Sequence, residues 1–189
     1  MNDYKMVDGH LIFLKRRKLR QEDCNCCKFL KENFDRFFEE DLFITNSNLK
    51  TKQQLLTSFC NKMRIKGYAG SRFEESIFKE SSLIQTDFGN VVVAYLSHSG
   101  YIENINLYRG KVGVVISKEG IIWSSNTIHI VFVLAINKSN ECNMFCKIIN
   151  SLLRLFEEPS FVEEIKNCSS FADFKNDMYS EIDKIIQIN

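Results

Sequence analysis

The sequence predicts an α/β fold, a central mixed β-sheet flanked by helices on both faces with a small N-terminal hairpin-helix extension. Three observations carry this expectation. Residues 91–96 (Val-Val-Val-Ala-Tyr-Leu), 112–116 (Val-Gly-Val-Val-Ile) and 128–135 (Ile-His-Ile-Val-Phe-Val-Leu-Ala) are β-branched apolar runs without a polar alternate side, as in strands covered twice. Helical periodicity precedes them over 51–66 and follows them over 141–186. A chain of 189 residues, 44% hydrophobic and 26% charged with one proline, suffices for one sizeable core and at most a small extension.

In chain order, residues 4–14 form two short apolar stretches around Asp8-Gly9, a tight-hairpin pair. Lys15-Arg16-Arg17-Lys18-Leu19-Arg20 then places five positive charges in six residues, read as a solvated connector in preference to a phosphate or partner patch. Phe29, Leu30, Phe34, Phe37 and Phe38 recur at helical spacing, which predicts a helix over 20–40 pressing an aromatic stripe onto the main body. Glu39-Glu40-Asp41 and Thr45-Asn46-Ser47-Asn48 interrupt the apolar pattern, so the expected division is an N-terminal piece over 1–38, either an extension or the end of a preceding module, and a main domain over 39–189. Leu55, Leu56, Phe59 and Met63 make an apolar helical face that Gly67 stops, and Phe73, Ile77 and Phe78 mark a short helix over 71–80. Ile121-Ile122-Trp123 adds a short strand after residues 112–116. Helices over 141–157, 161–167 and 170–186 close the chain, with Pro159 between the first two.

Composition excludes several function classes. Lys+Arg at 25 against Asp+Glu at 24 provides no global basic field, so direct nucleic-acid binding is not expected. No apolar run approaches the roughly 20 residues of a membrane span and no signal-peptide pattern opens the chain, so a cytoplasmic protein without membrane contact is expected. Seven cysteines, an odd number, fit a reducing compartment. Cys24, Cys26 and Cys27 form C-x-C-C, but no second pair of ligands follows, and residues one and two apart on a helix diverge. Neither a metal nor a cofactor is expected.

The order of motifs from Asp41 to Ile186 resembles the enzyme IIA domain of the fructose/mannitol class of the bacterial sugar phosphotransferase system. An opening Asp41-Leu42-Phe43-Ile44 precedes the helix over 51–66, and Ile77-Phe78-Lys79-Glu80-Ser81-Ser82 ends the short helix that follows. Thr86-Asp87-Phe88-Gly89-Asn90 matches the family's turn before the strand that closes on Ala-Ile-Pro-His. Ile122-Trp123 followed by 128–135, then Phe161-Val162 and Ser170 to Phe174, match its later pieces.

In that family the histidine of Ala-Ile-Pro-His accepts a phosphoryl group and passes it on, a role suited to an imidazole that is neutral and nucleophilic near pH 7. The resemblance puts Tyr95 on the proline and Leu96 on the histidine. His98, two positions later, is the candidate phospho-acceptor, because a two-residue offset returns to the same strand face. The family's phosphate-holding arginine falls on Lys79 or Glu80, and a lysine gives a point charge where arginine gives a planar fork. His129 lies within a strand pattern and His10 just after the hairpin turn.

What the resemblance implies is a degenerate, non-catalytic relative of the kind found at the C-terminus of transcription activators and antiterminators that carry phosphotransferase-system regulation domains. Its partners would be carrier proteins of that system or other domains of the same regulator, with self-association through the N-terminal helix. The alternative is an active phosphocarrier that uses His98 in sugar uptake.

Overall fold

The computed structural model describes residues 4–7, 10–13, 21–45, 48–78, 83–87, 91–96, 107, 109–124, 126–136 and 138–187. Among these, seven strands form one sheet: β1 (Tyr4–Val7), β2 (His10–Phe13), β3 (Phe38–Thr45), β4 (Leu83–Asp87), β5 (Val91–Leu96), β6 (Lys111–Trp123) and β7 (Asn126–Ala135). The helices are α1 (Gln21–Glu32), α2 (Phe34–Phe37), α3 (Lys52–Ile65), α4 (Arg72–Phe78), α5 (Lys138–Leu155), α6 (Pro159–Lys166) and α7 (Phe171–Gln187). The strand order is β1-β2-β4-β5-β7-β6-β3. The sheet is mixed: β5 runs parallel to β7 and β3 parallel to β6, whereas β6 and β7 are antiparallel.

The uninterrupted apolar runs are explained by two separate cores. Val91, Val93, Val112, Val114, Ile130, Phe132 and Leu134 pack with side chains of α1, α5, α6 and α7 on one face. Val92, Ala94, Val115, Val131, Val133 and Ala135 pack with Leu55, Phe59, Met63 and Phe73 of α3 and α4 on the other. Alternate residues of one strand therefore enter different cores, and a polar side chain in either set would be buried without water. The expected α/β sandwich with both sheet faces covered is what the chain forms.

Local chemistry sets the element ends. Thr51 caps α3 through a capping box, its hydroxyl accepting from the Gln54 amide at 3.3 Å while the Gln54 side chain accepts from the Thr51 amide at 3.2 Å. Gly67 follows with φ +67°, the left-handed conformation that a helix stop uses at low cost for glycine. Pro159 opens α6, where its missing N–H would be unpaired anyway.

The expected helix over 20–40 is corrected. It breaks at Asn33, whose side-chain amide donates to the Phe29 carbonyl at 2.9 Å, and after the single turn of α2 the chain extends into β3. Pairing of Phe38 with Val112 and of Phe43 to Thr45 with Val114 to Ile116 overrides the local periodicity. Residues 112–116 and 121–123 are likewise one strand, β6. Between its two halves, Ser117 to Gly120 stand against His129 alone, and Gly120 bends the chain with φ +88°. The hairpin around residues 8–9 pairs β1 with β2 as expected and joins the sheet through a parallel β2–β4 contact. The aromatic stripe docks as anticipated: Phe34 and Phe37 are fully buried, and Phe34 stacks on Phe38 at 4.5 Å and meets the edge of Tyr179 at 5.3 Å.

Candidate functional site

Leu96 is the last residue of β5, paired with Leu83 of β4, and the preceding Tyr95 pairs with Leu134 of β7. Continuing that parallel register, Leu96 falls in the row of Ala135, which in turn pairs with Lys111, the first residue of β6. One row thus joins the position matched to the family's histidine with a lysine two strands away, a separation of about 10 Å from the usual strand spacing. His98 and Lys79, the two predicted site residues, lie outside the described residues; Lys79 directly follows Phe78, the end of α4.

Lys111 is the charged centre of this end of the sheet. Its side chain is only 8% exposed, and its ammonium donates to the Glu39 carboxylate and, at 2.9 Å, to the Arg36 carbonyl. Tyr68 donates its hydroxyl to the same carboxylate at 2.8 Å, and its ring lies 5.0 Å from the Lys111 ammonium. Arg109 completes the group: its amide donates to the Tyr68 carbonyl at 3.3 Å and its guanidinium stands 5.9 Å from the Tyr68 ring. Burial pushes the Glu39 carboxyl up, but hydrogen bonds from Lys111 and Tyr68 outweigh it and hold the group below the ordinary carboxylate range. Accepted by that anion, the Tyr68 hydroxyl is shifted the opposite way, upward, with burial adding to the effect. The cluster therefore offers positive charge already matched by a carboxylate, and its phenol is a donor rather than a nucleophile.

The two other histidines stand elsewhere. His129 sits five residues before Leu134 on β7, about 17 Å toward the opposite end of the strand, with Nδ1 at 2.9 Å from the Ser117 carbonyl. It ties the β6 irregularity and does not line the end of β5. His10 lies in β2, paired with Val7 and Gln85.

Sequence reasoning missed Glu39, Tyr68 and Lys111. Each belongs to a different element, and no short-range pattern links them. Glu39 was hidden further because it stood within the expected helix.

The cysteines of the C-x-C-C motif diverge as expected. Cys24 and Cys27 are buried, with the Cys24 thiol 3.7 Å from the Ile185 carbonyl, while Cys26 is half-buried. Among the described residues no group of three or more His, Cys, Asp or Glu could hold a metal ion, and no helix is long and apolar enough to cross a membrane.

Residues 36–180 match the family described as phosphoenolpyruvate-dependent sugar phosphotransferase system, EIIA 2. A 148-residue stretch, 77% of the chain, is 22% identical to the probable licABCH operon regulator of Bacillus subtilis, of whose length it spans 22%. The fold is similar to that of IIA mannitol from Escherichia coli, with a TM-score of 0.59 and 16% identity over 75% of this chain and 98% of that one. It is also similar to the Escherichia coli complex of enzyme IIA mannitol with phosphorylated enzyme IIB mannitol, with a TM-score of 0.59 and 13% identity over 76% and 97% of the two chains. A putative PTS IIA domain from Streptococcus pyogenes superposes with a TM-score of 0.57 at 13% identity, covering 83% and 96%. With the match spanning most of its length and its sandwich shared with the mannitol-type structures, the chain belongs to the EIIA 2 family of the phosphoenolpyruvate-dependent sugar phosphotransferase system.

Proposed function

We propose that this chain is a regulatory, non-catalytic enzyme IIA-like domain of a bacterial transcription regulator or antiterminator, which acts by protein contact. The observation that supports the reading is Leu96 at the end of β5, the position on which the motif resemblance puts the family's phospho-accepting histidine. A hydrocarbon side chain accepts no phosphoryl group, and positioned charge does not replace a missing nucleophile. Lys111, a cation in the same row of the sheet, is engaged by Glu39 and the Arg36 carbonyl, so its charge stabilises the fold first. Likeness to an operon regulator supports the regulatory role, and likeness to an enzyme IIA solved in complex with phosphorylated enzyme IIB supports other components of this system as partners. In this reading residues 39–189 are the enzyme IIA-like unit and 1–38 an extension docked on it.

Incubation with phosphoenolpyruvate and the two general carrier proteins, followed by mass spectrometry of the intact chain, tests this directly. The expected result is no phosphoryl adduct. Stoichiometric acid-labile phosphate that disappears in His98→Ala would establish an active phosphocarrier with Lys79 as a candidate phosphate contact.

A further inference from the structure

We propose that the second half of the edge strand β3, with the adjoining flank of α3, is a docking groove for an extended peptide that adds to the sheet as a further strand. β3 ends the strand order, and among the described residues it pairs only with β6, so one side of its backbone offers donors and acceptors to an incoming chain.

The strand is guarded unevenly. Its first half carries Glu39, Glu40 and Asp41 and a register irregularity before Phe43, devices that keep other strands away. Lys66 pairs with Asp41 at that end. From Phe43 to Thr45 there is neither a charge nor an irregularity, and here the groove opens, with a volume of about 1030 Å³.

The lining defines the occupant. Ile44 and Leu49, both partly buried against the α3/α4 core, provide apolar contact, and Gln53, Thr57 and Ser58 line the α3 flank. Those three polar side chains make no hydrogen bond among the described residues, so their amide and hydroxyl groups can meet a peptide backbone. Among the described residues that line the groove Lys62 alone is charged, and its ammonium, which also acts on Asp41, favours an acid at that end of the peptide. From Gln53 to Lys62 the helix runs about 14 Å, the reach of a strand of about four residues. The occupant is therefore a short extended peptide with alternate apolar side chains and an acidic residue at one end. This inference stands on the strand edge and the groove lining, and holds whether or not His98 carries phosphate.

A library of acetylated hexapeptides with valine at alternate positions and aspartate at either end, titrated into the full chain by calorimetry and amide NMR, tests it. Binding is expected for members of the library, with the largest shifts at residues 43–45 and 53–62. N-methylation of alternate backbone nitrogens should weaken the best peptide at least about tenfold, the loss of roughly one or two backbone hydrogen bonds. Ser58→Trp, which fills the groove from the half-buried helix flank, should weaken it similarly; Thr57→Trp serves as the second blocking variant if Ser58→Trp lowers the thermal midpoint. Lys62→Glu should reverse the preference for acidic over lysine-ended peptides. Absence of binding across the library, indifference to N-methylation, or shifts confined to other surfaces would overturn the proposal. So would self-association that Ser58→Trp abolishes, since the occupant would then be a second copy.

Discussion

Lys111 and Glu39, 72 residues apart in the chain, form an ion pair in which the ammonium is 8% exposed and the carboxylate 25%, with Tyr68 donating to the same carboxylate. The pair joins the starts of the parallel neighbours β6 and β3 just where α2 turns into the sheet. Glu39→Gln leaves the buried ammonium with a neutral partner and the Arg36 carbonyl. A loss of about 2 kcal/mol is expected, below the roughly 3–5 kcal/mol of a fully buried pair because the carboxylate retains some solvent. Urea unfolding at pH 7 measures it.

The same pair sets an acid limit. The folded Glu39 carboxyl titrates below its unfolded value of about 4.3. Its contribution is complete above that unfolded value and is lost as pH falls through the lower folded one. The stability gap between the parent and Glu39→Gln should therefore be constant from pH 7 to about 5 and close on further acidification. A gap that widened in acid would contradict the assignment.

Gly113 carries a packing prediction. A β-carbon built there would lie 2.5 Å from two carbons of the buried Phe59 ring, so α3 approaches β6 through the space that glycine leaves. Gly113→Ala should cost about 2 kcal/mol by overpacking. Phe59→Leu combined with it should recover part of that loss, and a double-mutant cycle measures the coupling.

Phe34→Ala removes a fully buried ring that meets Phe38, Phe174 and Tyr179. A loss of about 3–4 kcal/mol in thermal or denaturant unfolding is expected. Near-UV dichroism of the folded variant should also change, because the ring cluster joins α2, β3 and α7.

Three thiols give an alkaline counterpart. Burial pushes Cys27, Cys60 and Cys168 up to about 12, and Cys168 is held further by donating to Asp177 at 3.1 Å. The unfolded chain releases these protons from about pH 8.5, so stability should fall as pH rises above that point. At pH 8 the three should react with a thiol reagent only on unfolding, whereas exposed Cys146 reacts in the native protein. Mass mapping of labelled peptides separates them.

The central strands were legible because burial on two faces leaves an unambiguous mark: residues 91–96 and 128–135 have no polar side to hide. The three closing helices were legible for the complementary reason, a broad apolar face broken by Pro159. β3 was not. Its Phe-Glu-Glu-Asp-Leu start follows a helical stripe without a turn residue, and what makes it a strand is the distant partner β6. The site divides the same way. The motif order located Leu96 at a strand end, but the Glu39–Tyr68–Lys111 group depends on three long-range contacts that no local spacing encodes.

Cys27, Leu30 and Phe34 precede the family-matched residues 36–180, yet they share one apolar cluster with Ile148, Met178 and Ile182. A recombinant exchange that transplanted only the matched stretch would leave α5 and α7 facing a hollow. Substitutions in α1 should thus couple energetically to positions some 120 to 150 residues downstream, in α5 and α7, so that the stability of the matched stretch depends on residues outside it.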